Sequence, residues 1–183
     1  MKNFFTVLGF LIFTTTFSQV YDGFADIKKS FGASFQDKGI GIVGNYDTGL
    51  SDYFSYGVSF GLIVKNSYPK SIIAYDQFNQ PYELDSQPEN KLMEIIDFNA
   101  RLNLHMNKLL NLGDNFDLYA GANAGRNFGG QAGTRYLITE GFGFFAEVNV
   151  PFVTNIINLN DDAENFYKFY EQPVLSVGIV ISN

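Results

Sequence analysis

His105, the only histidine in the chain, is the side chain with the most chemistry to offer. An imidazole beside a carboxylate can act as a general base or as a pH switch. Asp117 is the carboxylate placed to pair with it, because a symmetric connection over 107–115 would set the two opposite each other. No Ser, Cys or second base is convincingly placed beside His105, so the expectation is a non-enzyme. The charges Lys28, Asp97, Arg101, Arg135 and Glu147 offer a second possibility, a buried ion-pair network. If 139–141 closes a three-residue hairpin, Gly133 opposes Glu147, and Arg135 becomes a diagonal neighbour of Glu147 on the same face. Such a network would be a structural plug; a gate that rearranges to pass ions is the rival reading.

Other candidates carry less. Acid and aromatic clusters stand at Tyr75-Asp76-Gln77-Phe78, Tyr82-Glu83-Leu84-Asp85 and Asp161-Asp162-Ala163-Glu164. Calcium could bind such carboxylates, but their spacing matches no defined loop, and solvated loop charge is the better reading. Gly39-Ile40-Gly41 and Gly141-Phe142-Gly143 sit on strands or turns and are not phosphate loops. With no Cys in the chain, disulfide scaffolds and thiolate metal sites are excluded. No metal or cofactor is expected.

The elements that must position these residues are strands. The aromatic fraction is 17%, with 20 Phe and 11 Tyr, types that favour pleated structure. Residues 1–18 form a secretory leader: Lys2, the apolar run Phe4 to Phe13, then small residues at Thr16 and Ser18 for cleavage. The run is far short of the ~20 apolar residues a membrane helix needs. The expected mature domain is 19–183. Losing Lys2 takes its charge one unit below the −7 of the full chain, and an acidic chain of this kind repels nucleic acid.

Period-2 alternation then recurs in eight segments: 24–36, 40–50, 54–65, 91–106, 116–126, 131–138, 142–150 and about 168–182. In the third, Phe54, Tyr56, Val58, Phe60, Leu62 and Val64 alternate with Ser55, Gly57, Ser59 and Gly61. Connections at 37–39, 51–53, 128–130 and 139–141 are short, 107–115 is moderate, and 66–90 and 151–167 are long. Acid–x–Phe recurs at three turns: Asp52 to Phe54, Asp114 to Phe116 and Glu140 to Phe142. Phe54, Phe116 and Phe142 thus read as an aromatic girdle at one membrane–water boundary.

Alternation alone fits a water-soluble barrel with an apolar core or a membrane barrel with a polar lumen. The polar face favours the second. It is rich in Gly, which weakens a solvated strand but relieves a crowded lumen. It carries few charges, of both signs. On the apolar face, Lys29, Glu94 and Arg126 keep to strand ends, as exclusion from a bilayer centre requires. The expectation is a closed, all-β, antiparallel eight-stranded up-and-down transmembrane barrel. At that strand number side chains can fill the interior, so a plugged lumen is expected.

The stretches Tyr46 to Gly57, Phe116 to Gly121 and Gly133 to Val148 resemble the small OmpA/OmpX-type eight-stranded outer-membrane β-barrels of Gram-negative bacteria. The likeness runs over nearly the whole mature chain. It implies residence in the bacterial outer membrane, contact with outer-membrane lipid and assembly by the barrel-insertion machinery, as a monomer. The ending Val180-Ile181-Ser182-Asn183 departs from the terminal aromatic of many such barrels. Lipid-modifying barrels of this size hold their catalytic groups near the outer leaflet, whereas His105 falls at the inner end. The resulting expectation is a structural or surface-recognition protein that meets an extracellular ligand through 66–90 and 151–167. A transport barrel for small solutes or hydrophobic molecules, and a soluble periplasmic lipocalin-like binder, are the alternatives.

Overall fold

A computed structural model describes residues 20–67, 71–85, 95–139, 141–154, 156 and 170–182. Residues 1–19, which include the expected leader, Glu94, Glu140, most of 151–167 including Asp161, Asp162 and Glu164, and part of 66–90 lie outside the described residues. In chain order the strands are β1 (Ile27–Gln36), β2 (Gly39–Gly49), β3 (Phe54–Asn66), β4 (Ser71–Tyr75), β5 (Pro81–Asp85), β6 (Ile96–His105), β7 (Phe116–Gly125), β8 (Phe128–Thr139), β9 (Phe142–Val153) and β10 (Val174–Ser182). A single-turn helix, α1 (Asn107–Leu110), follows β6. No described helix is long and apolar enough to cross a membrane, which says nothing about strands.

Eight of these strands form the expected closed antiparallel barrel, with β10 returning to pair with β1. The bounds differ in places. β8 starts at Phe128 rather than 131, so the connection expected at 128–130 shrinks to Arg126 and Asn127. β10 starts at Val174, well inside the segment expected from 168.

Within 66–90 the structure adds a hairpin, β4–β5, which pairs with no barrel strand. Its turn is built locally: Asp76 Oδ1 accepts from the backbone N–H of Phe78 and Gln80 at 2.8 Å each, and Asn79 takes φ 59°, a left-handed geometry Asn tolerates. Alternation could not reveal this hairpin, because its apolar residues Ile73, Tyr75, Phe78 and Tyr82 are all exposed.

The two barrel faces have inverted polarity relative to a water-soluble fold. Phe60 is 41% exposed and Leu102 48%, whereas Arg101, next to Leu102, is 4% exposed. Lys28, Asp47, Asp117, Arg135 and Glu147 all point inward and are buried. Glycines make room for the large lumen groups. A Cβ on Gly133 would meet the Tyr119 hydroxyl at 2.5 Å, and one on Gly61 would meet that of Tyr170 at 2.8 Å. Small apolar clusters sit at the two ends of the lumen: Val20, Leu137 and Val180 at the end with the 50–53, 106–115 and 140–141 connections (the turn end), and Ile63, Tyr170 and Val174 at the opposite end, from which the long 67–95 and 154–173 segments leave (the loop end).

Candidate functional site

Charge density is highest at mid-lumen. Arg101 from β6 reaches across to Glu147 on β9, with Nη2 to Oε2 at 2.5 Å and Nη1 to Oε1 at 3.3 Å. Its Nε lies 3.0 Å from Asp47 Oδ1 on β2, a close ion pair without hydrogen-bond alignment. Arg135 on β8 donates to the other Asp47 oxygen, and its guanidinium lies over the Tyr119 ring, 4.4 Å from the centroid. The Tyr119 hydroxyl donates to Glu147 at 2.7 Å. Two arginines thus face two carboxylates, and the group is formally neutral. Such pairing, with hydrogen bonds to the remaining lone pairs, is what allows charge to be buried. A relay of amides extends it: Asn123 donates to Gln131, Gln131 to Asn103, and Asn103 to Asp47.

The five charges grouped by sequence are therefore divided. Gly133 does oppose Glu147 in the β8–β9 register. Glu147, however, takes Arg101 as its partner, while Arg135 turns to Asp47. Lys28 lies apart, bonded to Asp26 at 2.6 Å and to Ser182 Oγ at 2.5 Å. Asp97 sits nearer the loop end and accepts from Asn99. Arg126, expected on the apolar face, lies in the β7–β8 connection and is buried. The missing signal is the pairing across the lumen, which no single strand encodes. Tyr119, one large ring on a face otherwise made of Asp, Asn and Gly, carries no signal of its contacts in the β7 alternation either.

At the turn end, His105 Nδ1 lies 2.7 Å from Asp117 Oδ2. The register sets Tyr119, not Asp117, directly opposite His105, because α1 makes the connection asymmetric. Asp117 is the diagonal neighbour, close enough to pair. Contrary to expectation, a serine does stand beside the imidazole: Ser55 Oγ is 2.8 Å from Nε2. Ser55 comes from β3, whose pairing with β6 crosses the long 66–90 segment, so its approach was not legible locally.

Ser–His–Asp in this order is the arrangement that activates a serine nucleophile. Here all three residues are enclosed. Ser55 Oγ is also approached by Asn103 Nδ2 at 3.3 Å, and Tyr21 stacks on the imidazole, with centroids 3.7 Å apart and planes 6° from parallel. The arrangement pairs Ser55, His105 and one oxygen of Asp117 in series and leaves Asp117 Oδ1 without a partner.

Tyr21 belongs to a strap, residues 20–26, laid across the turn-end mouth. Its hydroxyl donates to the carbonyls of Ser51 and Phe54 at 2.7 and 2.5 Å. Burial, and then the charge of Asp26, hold that hydroxyl well above the ordinary tyrosine range, so it remains a donor. Val20 N donates to Asp114 O, and Ala25 N with Gly49 N tie the strap to the end of β2.

The girdle residues open the strands that leave the turn end. Phe54 and Phe142 are exposed, and Phe116 is half-buried opposite Tyr136. Among the described residues, no three His or carboxylate groups come together as a metal site.

Comparison with known proteins gives one family and one fold likeness. A family model described as "Family of unknown function (DUF6646)" matches residues 10–182. No curated protein matches. A solved structure reported under "De novo design of transmembrane beta-barrels" superposes with a TM-score of 0.53 over 90% of this chain and 100% of that one, at 11% identity. At that identity the likeness is one of fold.

Proposed function

The chain belongs to the family of unknown function DUF6646, and from its physics we propose that it is a non-enzymatic outer-membrane barrel of the small OmpA/OmpX type. In this reading residues 1–18 are removed, the insertion machinery delivers 19–183 to a Gram-negative outer membrane, and the barrel is a plugged monomer. One observation carries the proposal: the apolar side chains are outside and the charges inside. Barrel strands of about ten residues, at ~3.3 Å each and tilted by ~40°, give a band near the ~25 Å of an outer-membrane barrel. Water is a poor solvent for a continuous apolar belt of that height. The designed transmembrane barrel it resembles supports this placement.

The role assigned to this barrel is display. With the turn end in the periplasm, the β4–β5 hairpin projects outward and offers Ile73, Tyr75, Phe78 and Tyr82, all exposed, to an extracellular ligand. The segment 151–167 would share that task. The paired arginines and carboxylates support this reading over both alternatives, since they fill the middle of the lumen with charge where a transport path or an apolar ligand pocket would have to run.

Heat-modifiability tests the proposal. After refolding in detergent, the unboiled protein should run as a compact, faster band on a semi-native gel, and it should give no steady conductance in planar bilayers. Release from membranes by high salt alone would overturn membrane residence. A steady channel would overturn the plug.

A further inference from the structure

Between the central charge group and Tyr170, the lumen keeps a cavity of about 40 Å³ with both polar and apolar walls. That is room for roughly three waters. Its walls include Ser34, Asn45, Ser59, Asp97 and Asn123, with Tyr170 as part of the roof. Tyr170 is fixed there: Asn127 Nδ2 donates to its carbonyl at 2.7 Å, and its own N–H donates to Gln36 Oε1 at 2.7 Å. The floor contributes Glu147, whose charge is already committed to Arg101 and the Tyr119 hydroxyl.

Two features mark this cavity as more than a packing gap. First, buried polar atoms are normally paired, and several here are not. Both amide atoms of Asn45 (5% exposed) and the hydroxyl of Ser34 (2% exposed) lack protein partners. So does Asp97 Oδ1, while Oδ2 accepts from Asn99 at 2.5 Å. Second, among the described residues the lining holds two carboxylates and several amide and hydroxyl oxygens but no Lys, Arg or His. Arg126 acts electrostatically on Asp97 from outside that lining.

Oxygen-only donor sets suit hard cations. A divalent ion would demand more carboxylate than one uncommitted oxygen. We propose that the loop-end cavity formed by Ser34, Asn45 and Asp97 is a binding site for a small monovalent cation with its remaining waters. The Arg101–Glu147 pair closes the inner side, so the ion binds from the loop end and does not pass through.

The test uses the full refolded barrel in detergent, in NaCl, KCl or choline chloride at equal ionic strength. ²³Na NMR should show line broadening by the wild-type barrel, relieved when an excess of the better-fitting alkali cation is added. Broadening should fall to the detergent-only value in Asp97→Asn, and in Asn45→Leu, which fills the cavity with carbon. Asp76→Asn on the exposed hairpin should behave as wild type. The urea midpoint should be higher in NaCl or KCl than in choline chloride, with that difference lost in both cavity variants. Equal midpoints in all three salts with no excess broadening would overturn the site, as would broadening that survives both cavity substitutions. If Asp97→Asn does not refold, Asn45→Leu and the competition experiment decide alone.

Discussion

Glu147 and Asp47 are the two carboxylates on which the central lumen contacts converge. Glu147 receives both terminal nitrogens of Arg101 and the Tyr119 hydroxyl. Glu147→Ala removes an acceptor while leaving a buried guanidinium and a phenol behind, the expensive way to break an ion pair. The expected loss is about 3–5 kcal/mol, read as a lower urea midpoint in detergent. Glu164→Ala, in the long loop segment, should leave the midpoint unchanged; equal effects of the two would contradict the inward placement of Glu147. Ser55→Ala tests the second group. It leaves His105 Nε2 without its hydroxyl partner inside the barrel, at an expected cost of roughly 1–3 kcal/mol. Restoration of the midpoint by Ser55→Thr would support the hydrogen bond as the cause. How far these sites were legible depends on range. Each charge fell on the polar face because its own strand alternates. Partners did not, since Arg101–Glu147 and Ser55–His105 join strands whose mutual register is set by segments without periodicity.

The strap and the outer hairpin behave oppositely as elements. Residues 20–26 close the turn-end mouth, with Val20 packed on Leu137 and Val180 and the Tyr21 ring laid on His105. As the only histidine, His105 reports on that seal without interference. Diethyl pyrocarbonate should leave it unmodified in the folded wild type and modify it at least ten-fold faster in Tyr21→Ala under conditions where the barrel stays folded. Equal rates would mean that the strap does not seal the mouth. The β4–β5 hairpin should be dispensable for folding. Replacing 71–85 by a short Gly/Ser linker is expected to move stability by no more than about 0.5 kcal/mol, the range of surface changes. A lost heat-modifiable band would refute this. Both elements escaped a reading by periodicity, for different reasons. The strap is irregular, with Gly23 and Ala25 at positive φ, and the hairpin exposes Ile73, Tyr75 and Tyr82 instead of burying them on one face. The eight barrel strands were legible because each divides two solvents along its length.

For the whole molecule, the deciding property is which solvent wets which face, and Arg101 and Leu102 hold the answer side by side on β6. Their side chains point to opposite faces, Arg101 into the lumen and Leu102 outward beside Tyr56 and Ala122. If lipid surrounds the barrel, both Arg101→Leu and Leu102→Arg should destabilise it. The first strands Glu147 and half of Asp47's pairing inside the lumen. The second sets a guanidinium in hydrocarbon, at about 2–4 kcal/mol near the midplane and less toward the boundary. A water-soluble barrel would respond differently to Leu102→Arg, since an arginine on a wetted strand costs within about 0.5 kcal/mol. Refolding into phospholipid vesicles and measuring urea midpoints separates the two cases. Lipid contact predicts a lowered midpoint for Leu102→Arg, and a smaller drop for Phe142→Arg at the turn-end boundary, where the side chain can reach water. Equal midpoints for Leu102→Arg and wild type would place that face in water.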